Sequence, residues 1–137
     1  SMPGVRALVF DYFGVLAQQY GRCDEQMMTF IEQRLYGKYR LAVLSNMNGG
    51  SAEDMLGGYV KFFDEVLLSG ELGVAKPDER AFLLTAKRLG EFPSNCVMVD
   101  DSELNCTVAE QVGMQAVRFT NIENLAQKLE KYGILTP

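Results

Sequence analysis

The 137-residue chain contains no histidine and no tryptophan, and only three of its residues are cysteine. Without an imidazole, serine triads with a histidine base, phosphohistidine chemistry and histidine-rich zinc sites are excluded. Any acid, base or nucleophile must be Asp, Glu, Lys, Tyr, Ser or Cys. Cys23, Cys96 and Cys106 show no CxxC spacing, and an odd number cannot close a full disulfide framework. A reducing cytoplasm is therefore expected, with Cys96 and Cys106 read as small buried apolar groups. No window approaches the ~18 uncharged apolar residues of a membrane span, and residues 1–4 lack the basic and apolar regions of a secretory signal. This predicts a cytoplasmic protein with no membrane partner. Ser1 ahead of Met2 reads as the remnant of a removed purification tag. Basic residues are in the minority, 13 Lys plus Arg against 18 Asp plus Glu, and the net charge of −5 repels polyanions and argues against nucleic acid.

What is present fits one domain spanning residues 1–137, long enough to bury roughly two thirds of its surface. The apolar run Ala7-Leu8-Val9-Phe10 predicts a buried strand that ends at Asp11. Asp24 is placed to cap a helix through Tyr36, with Met27, Met28, Ile31 and Leu35 at helical spacing. Leu41-Ala42-Val43-Leu44 predicts a second strand ending in Ser45-Asn46, followed by a short helix from Ser51 to Leu56. Val66-Leu67-Leu68 predicts a third strand, with a loop holding Gly70, Gly73 and Lys76. Asp78 is placed to cap a helix through Leu89 whose apolar face is Phe82, Leu83, Ala86 and Leu89. Cys96 to Val99 predicts a fourth strand running into Asp100-Asp101. A helix from Ser102 to Val112, a strand from Gln115 to Phe119 and a helix from Ile122 to Tyr132 complete the pattern. Short apolar strands alternating with helices call for an α/β architecture, a three-layer Rossmann-like parallel sheet of about five strands with helices on both faces.

In an open parallel sheet, ligands bind outside the carboxyl ends of the strands. Asp11, Ser45, Asn46, Asp100 and Asp101 all fall at such ends, and Lys76 lies in a loop on the same side. Hard carboxylate oxygens suit Mg²⁺, and an ammonium and a hydroxyl suit a phosphoryl group. Taken alone, Ser45-Asn46 is an ordinary strand-ending turn and Lys76 a solvated loop charge, whereas adjacent Asp100 and Asp101 repel one another unless a cation is near. Asp78 and Asn105 are read as capping or loop residues.

Four ordered segments, Leu8-Val9-Phe10-Asp11-Tyr12-Phe13-Gly14-Val15-Leu16, Leu44-Ser45-Asn46, Gly73-Val74-Ala75-Lys76-Pro77-Asp78 and Val99-Asp100-Asp101-Ser102-Glu103-Leu104-Asn105, resemble the signature motifs of the haloacid dehalogenase-like hydrolase superfamily. The resemblance implies Asp11 as nucleophile and Mg²⁺ ligand, with the Phe13 carbonyl and Asp101 as further ligands and Asp100 in the inner or second shell. It implies Ser45, with Asn46 beside it, on a phosphoryl oxygen, and Lys76 neutralising both the nucleophile and the substrate. The substrate would be a small phosphorylated molecule or an exposed phosphate on a larger one, hydrolysed through an aspartyl phosphate.

The sequence departs from the superfamily pattern twice. Phosphatases of this superfamily usually carry a second Asp two residues after the nucleophile as general acid and base, and here that position is Phe13. Its loss is expected to forfeit roughly 10²–10⁴ in rate, least for good leaving groups. Tyr12 and Asp24 are the nearby stand-ins. Relatives with a cap insert it between the first two motifs, where this chain has only residues 17–40. An open site is expected, with Met27, Met28, Phe30 and Ile31 exposed as a surface for self-association into a homo-oligomer. Two rivals to a low-efficiency phosphatase stay open: metal-independent 2-haloacid dehalogenation, and a degenerate binding or regulatory module.

Overall fold

The computed structural model describes residues 4–18 and 21–135; residues 1–3, which include the expected tag remnant, lie outside the described residues. Five strands form, β1 (Ala7–Phe10), β2 (Arg40–Ser45), β3 (Glu65–Leu68), β4 (Cys96–Asp100) and β5 (Gln115–Arg118). All pair in parallel in the order β3-β2-β1-β4-β5. The chain therefore builds outward from β1 on one side and then crosses to the other. The order reverses between β1 and β4, which is where an open α/β sheet forms its ligand crevice.

The central strands β1, β2 and β4 carry continuous apolar runs because both of their faces are covered. Leu8, Phe10, Leu41, Val43, Val97 and Val99 point to one face, where they meet Met27, Met28 and Ile31 of α1 (Glu25–Arg34). The short α2 (Ala52–Leu56) and the 3-10 segment Gly57–Phe62 add Met55, Leu56 and Phe62 to that layer. Ala7, Val9, Ala42, Leu44 and Met98 point to the other face. After α3 (Ser69–Leu72), that second layer is built from α4 (Glu79–Leu89) and α5 (Glu103–Gln111), while α6 (Ile122–Lys131) returns Leu125 and Leu129 to the first.

Helix starts follow local chemistry. Asp24 accepts from the Gln26 and Met27 amides, Asp78 from Arg80, Ser102 from Asn105 and Asn121 from Asn124, each satisfying amides that a first helical turn leaves without partners. Ser51 and Asp54 form a reciprocal capping box on α2.

Three expectations are corrected. Met27, Met28 and Ile31 are at most 1 % exposed, since α1 lies flat on the sheet, and only Phe30 keeps partial exposure; the surface expected for self-association is core. Leu83 is 44 % exposed, and the inner face of α4 is Ala81, Phe82, Thr85, Ala86 and Leu89, with Thr85 returning its hydroxyl proton to the Ala81 carbonyl. The glycine-containing stretch after β3 is partly helical, as α3, closed by Gly73 in the left-handed region at φ 80°. No helix among the described residues is long and apolar enough to cross a membrane.

Candidate active site

Asp11, Phe13, Ser45, Asn46, Lys76, Asp100 and Asp101 line one cleft of about 210 Å³, together with Ser102 and Asn105. Larger clefts of about 670 and 540 Å³ exist, but they are lined by the turn around Tyr36–Arg40 and by Tyr12 with the Cys23–Met55 region, and hold none of these residues. Chemistry, not size, locates the site.

The backbone explains the convergence. Asp11 leaves β1 while its amide still donates to the Val99 carbonyl, so the ends of β1 and β4 stay side by side. The chain then coils tightly, with the Val15, Leu16 and Ala17 amides all reaching the Tyr12 carbonyl and the Gly14 amide reaching Ala17. Gly14 holds φ 88°, and the Asp101 carboxylate lies so close that a Cβ at position 14 would collide with it. The first and fourth motifs are thus in van der Waals contact.

Lys76 is the electrostatic centre. Its ammonium donates to Asp11 Oδ1 and to Asp100 Oδ2, both at 2.8 Å, and its side chain is only 1 % exposed. The solvated loop charge considered from sequence is a buried, doubly paired cation. Asn46 holds it from behind, accepting from the Lys76 amide at 2.9 Å and donating to the Lys76 carbonyl at 2.7 Å. Asp100 is fully buried and its oxygens are occupied, Oδ1 by the Ser102 amide and Oδ2 by Lys76 and the Asn105 side chain. Asn105, expected only as a capping or loop residue, is therefore part of the site. Nothing in local sequence marks it except its three-residue spacing from Ser102.

Burial pushes the Asp11 carboxyl up, the nearby Asp100 charge pushes it further, and Lys76 opposes both; the result is about 6 against an ordinary 3.8. Asp11, Asp100 and Asp101 each offer an oxygen, and these lie within 4.8 Å of one another. Among the described residues no donor reaches the Phe13 carbonyl. This oxygen-only donor set fits a hard divalent ion such as Mg²⁺. Ser45, 1 % exposed, ends β2 at the same edge.

The two stand-ins for the missing acid are not at the cleft. Tyr12 turns its hydroxyl to the Met55 carbonyl, and burial with Cys23 beside it pushes the phenol up to about 12. Asp24 is consumed in capping α1. Phe13 lines the cleft with its ring 38 % exposed and edge-on to Tyr12 at 4.8 Å. Cys96 and Cys106 are buried, with thiols pushed up to about 11 chiefly by burial, as small apolar groups should be.

Comparison with known proteins agrees with this fold. A drimenol cyclase of Aspergillus calidoustus is 31 % identical over 84 % of this chain and 23 % of its own length. A fructose-1-phosphate phosphatase of Escherichia coli is 32 % identical over 60 % of this chain and 45 % of its own. The chain spans less than half the length of the curated relatives it matches. An uncharacterized protein of Corynebacterium glutamicum superposes with a TM-score of 0.77 at 30 % identity, over 98 % of this chain and 99 % of its own. A haloacid dehalogenase family enzyme of Bacteroides thetaiotaomicron, solved with magnesium and inorganic phosphate, shares the fold at TM-score 0.65 and 16 % identity over 85 % of this chain and 95 % of its own. The family model for haloacid dehalogenase-like hydrolases matches residues 25–113, and the chain belongs to that family.

Proposed function

We propose that this hydrolase is a Mg²⁺-dependent phosphatase that forms an aspartyl phosphate on Asp11. The observation that supports this most is the meeting of three carboxylates and one buried ammonium at the β1–β4 switch point. Asp11, the Phe13 carbonyl and Asp101 would hold the ion. Asp100 stands behind them, because its oxygens already accept from Lys76, Ser102 and Asn105. When bound, Mg²⁺ would supply charge that lets the phosphoryl anion approach a carboxylate.

Asp11 attacks phosphorus in line, and Lys76 offsets the charge that gathers on the carboxylate and the phosphoryl oxygens. Ser45 donates its hydroxyl to a phosphoryl oxygen. Asn46, expected to bind substrate, is reassigned as a positioning residue that fixes the Lys76 backbone. The chain acts as one core domain in which residues 17–40 replace a cap with little more than α1, so the cleft is open and turnover is slow. The phosphatase among the relatives, and the magnesium and phosphate in a fold neighbour, are consistent with a small phosphorylated substrate.

Phosphate release measured with and without Mg²⁺, for wild type and Asp11→Asn, tests the proposal. Release that requires the metal and disappears in Asp11→Asn is expected. Metal-independent halide release from a 2-haloacid, or no turnover of any phosphorylated compound, contradicts it.

A further inference from the structure

Each ionisable side chain described as lining the cleft is committed to another task, and Ser102 there is an alcohol that accepts from the Asn105 amide. The Lys76 ammonium donates to two carboxylates and is 1 % exposed. Tyr12 donates to the Met55 carbonyl, away from the cleft. Asp24 accepts amides at the start of α1. Under the hydrolase reading, Asp11 and Asp101 are taken up by the phosphoryl group and the ion. Ser45 is an alcohol, hardly more acidic than water. Two residues after Asp11, where the superfamily resemblance leads one to expect a second Asp, stands Phe13, part of the cleft lining and 38 % exposed.

Resting on that reading, we propose that the cleft selects phosphoryl donors whose leaving oxygen departs as a stable anion, namely acyl phosphates, phosphoanhydrides and aryl phosphates, with the Phe13 ring as the specificity-determining residue. An Asp11 oxygen bonds to phosphorus, the phosphorus–oxygen bond to the leaving group breaks, and the leaving oxygen keeps the electron pair as a carboxylate, phosphate or phenolate. No proton moves in this step. Water then adds to phosphorus and the bond to Asp11 breaks. The departing group is again a carboxylate, and the water protons pass to the phosphate product and to bulk solvent in the open cleft. The second half needs no general acid, and the first needs none only for such donors. An alkyl phosphate would have to expel an alkoxide, whose conjugate acid resembles water at about 16 rather than a carboxylic acid at about 4 or a phenol at about 10.

The test measures kcat/KM for acetyl phosphate, phenyl phosphate and glycerol phosphate at saturating Mg²⁺, in wild type and Phe13→Asp, with Asp11→Asn as control. Wild type is expected to decline steeply along that series, and Phe13→Asp to raise the ratio of the alkyl to the acetyl phosphate rate by roughly 10²–10⁴-fold. A set of ring-substituted phenyl phosphates gives the same dependence in wild type alone, independent of how well an introduced carboxyl sits. Activity on acyl as well as aryl donors supports the inference, whereas activity confined to aryl donors would assign selection to the Phe13 ring face alone and overturn it. A wild-type rate on glycerol phosphate within about tenfold of acetyl phosphate, or a shallow dependence among the phenyl phosphates, overturns it while leaving the phosphatase reading intact. Absence of Asp11-dependent release from every donor overturns both.

Discussion

Asp11→Asn should make the metal-free protein more stable at neutral pH even as it removes the proposed nucleophile. The folded protein holds the Asp11 carboxyl at about 6 against an ordinary 3.8. Its charged form is therefore disfavoured in the fold despite the Lys76 contact. A carboxyl raised in the folded state contributes its full stabilisation below 3.8, where it is protonated in both states, and loses it as pH rises through about 6. The difference corresponds to at most about 3 kcal/mol at neutral pH, and because the side chain keeps 15 % exposure we expect about 1–3 kcal/mol. Asparagine matches the neutral carboxyl in shape and still accepts from the Lys76 ammonium. Thermal unfolding in EDTA at pH 7.5 should then show a Tm higher by roughly 3–10 °C, and the gap should close as pH is lowered toward 4. A variant less stable than wild type at pH 7.5 without metal, or a gap that ignores pH, would refute the reasoning.

Lys76→Met leaves Asp11 and Asp100 facing each other without their shared cation, and should cost about 3–5 kcal/mol by urea unfolding; a loss under 1 kcal/mol would contradict the central place given to Lys76. Asn46→Ala removes both bonds to the Lys76 backbone, and is expected to cost about 1–3 kcal/mol and, if Asn46 acts through Lys76, to lower kcat more than it raises KM. A pure KM effect would return Asn46 to substrate binding. Mg²⁺ affinity, followed by calorimetry, should fall as pH drops through about 6, where Asp11 takes up a proton that the ion must displace; affinity constant down to pH 4.5 would exclude Asp11 as a ligand.

The first four strands were legible because each holds a run of three or four apolar residues closed by a polar one, Asp11 after Phe10 or Ser45 after Leu44. The helix caps were legible because Asp24, Ser51, Asp78 and Ser102 act on amides two or three residues away. What sequence hid is long-range. The Asn46 bonds to Lys76 cross 30 residues, and Lys76 reaches Asp100 across 24. Burial of Met27, Met28 and Ile31 depends on where the sheet leaves a face open for α1, which no local pattern states. Leu83 beside Phe82 shows the same limit, since which edge of the apolar arc of α4 faces the sheet is set by how the helix lies on it. The raised Asp11 carboxyl was equally invisible, because the burial that pushes it up is built by segments distant in sequence.

The most direct test is mass spectrometry of acid-quenched protein after brief exposure to acetyl phosphate and Mg²⁺. With no carboxylate at position 13 to activate water, the covalent state should persist long enough to be caught. The account predicts one added phosphoryl group on the peptide carrying Asp11, present only with the metal and absent from Asp11→Asn. A phosphoryl group on any other residue, or phosphate released while Asp11 never carries one, would contradict it.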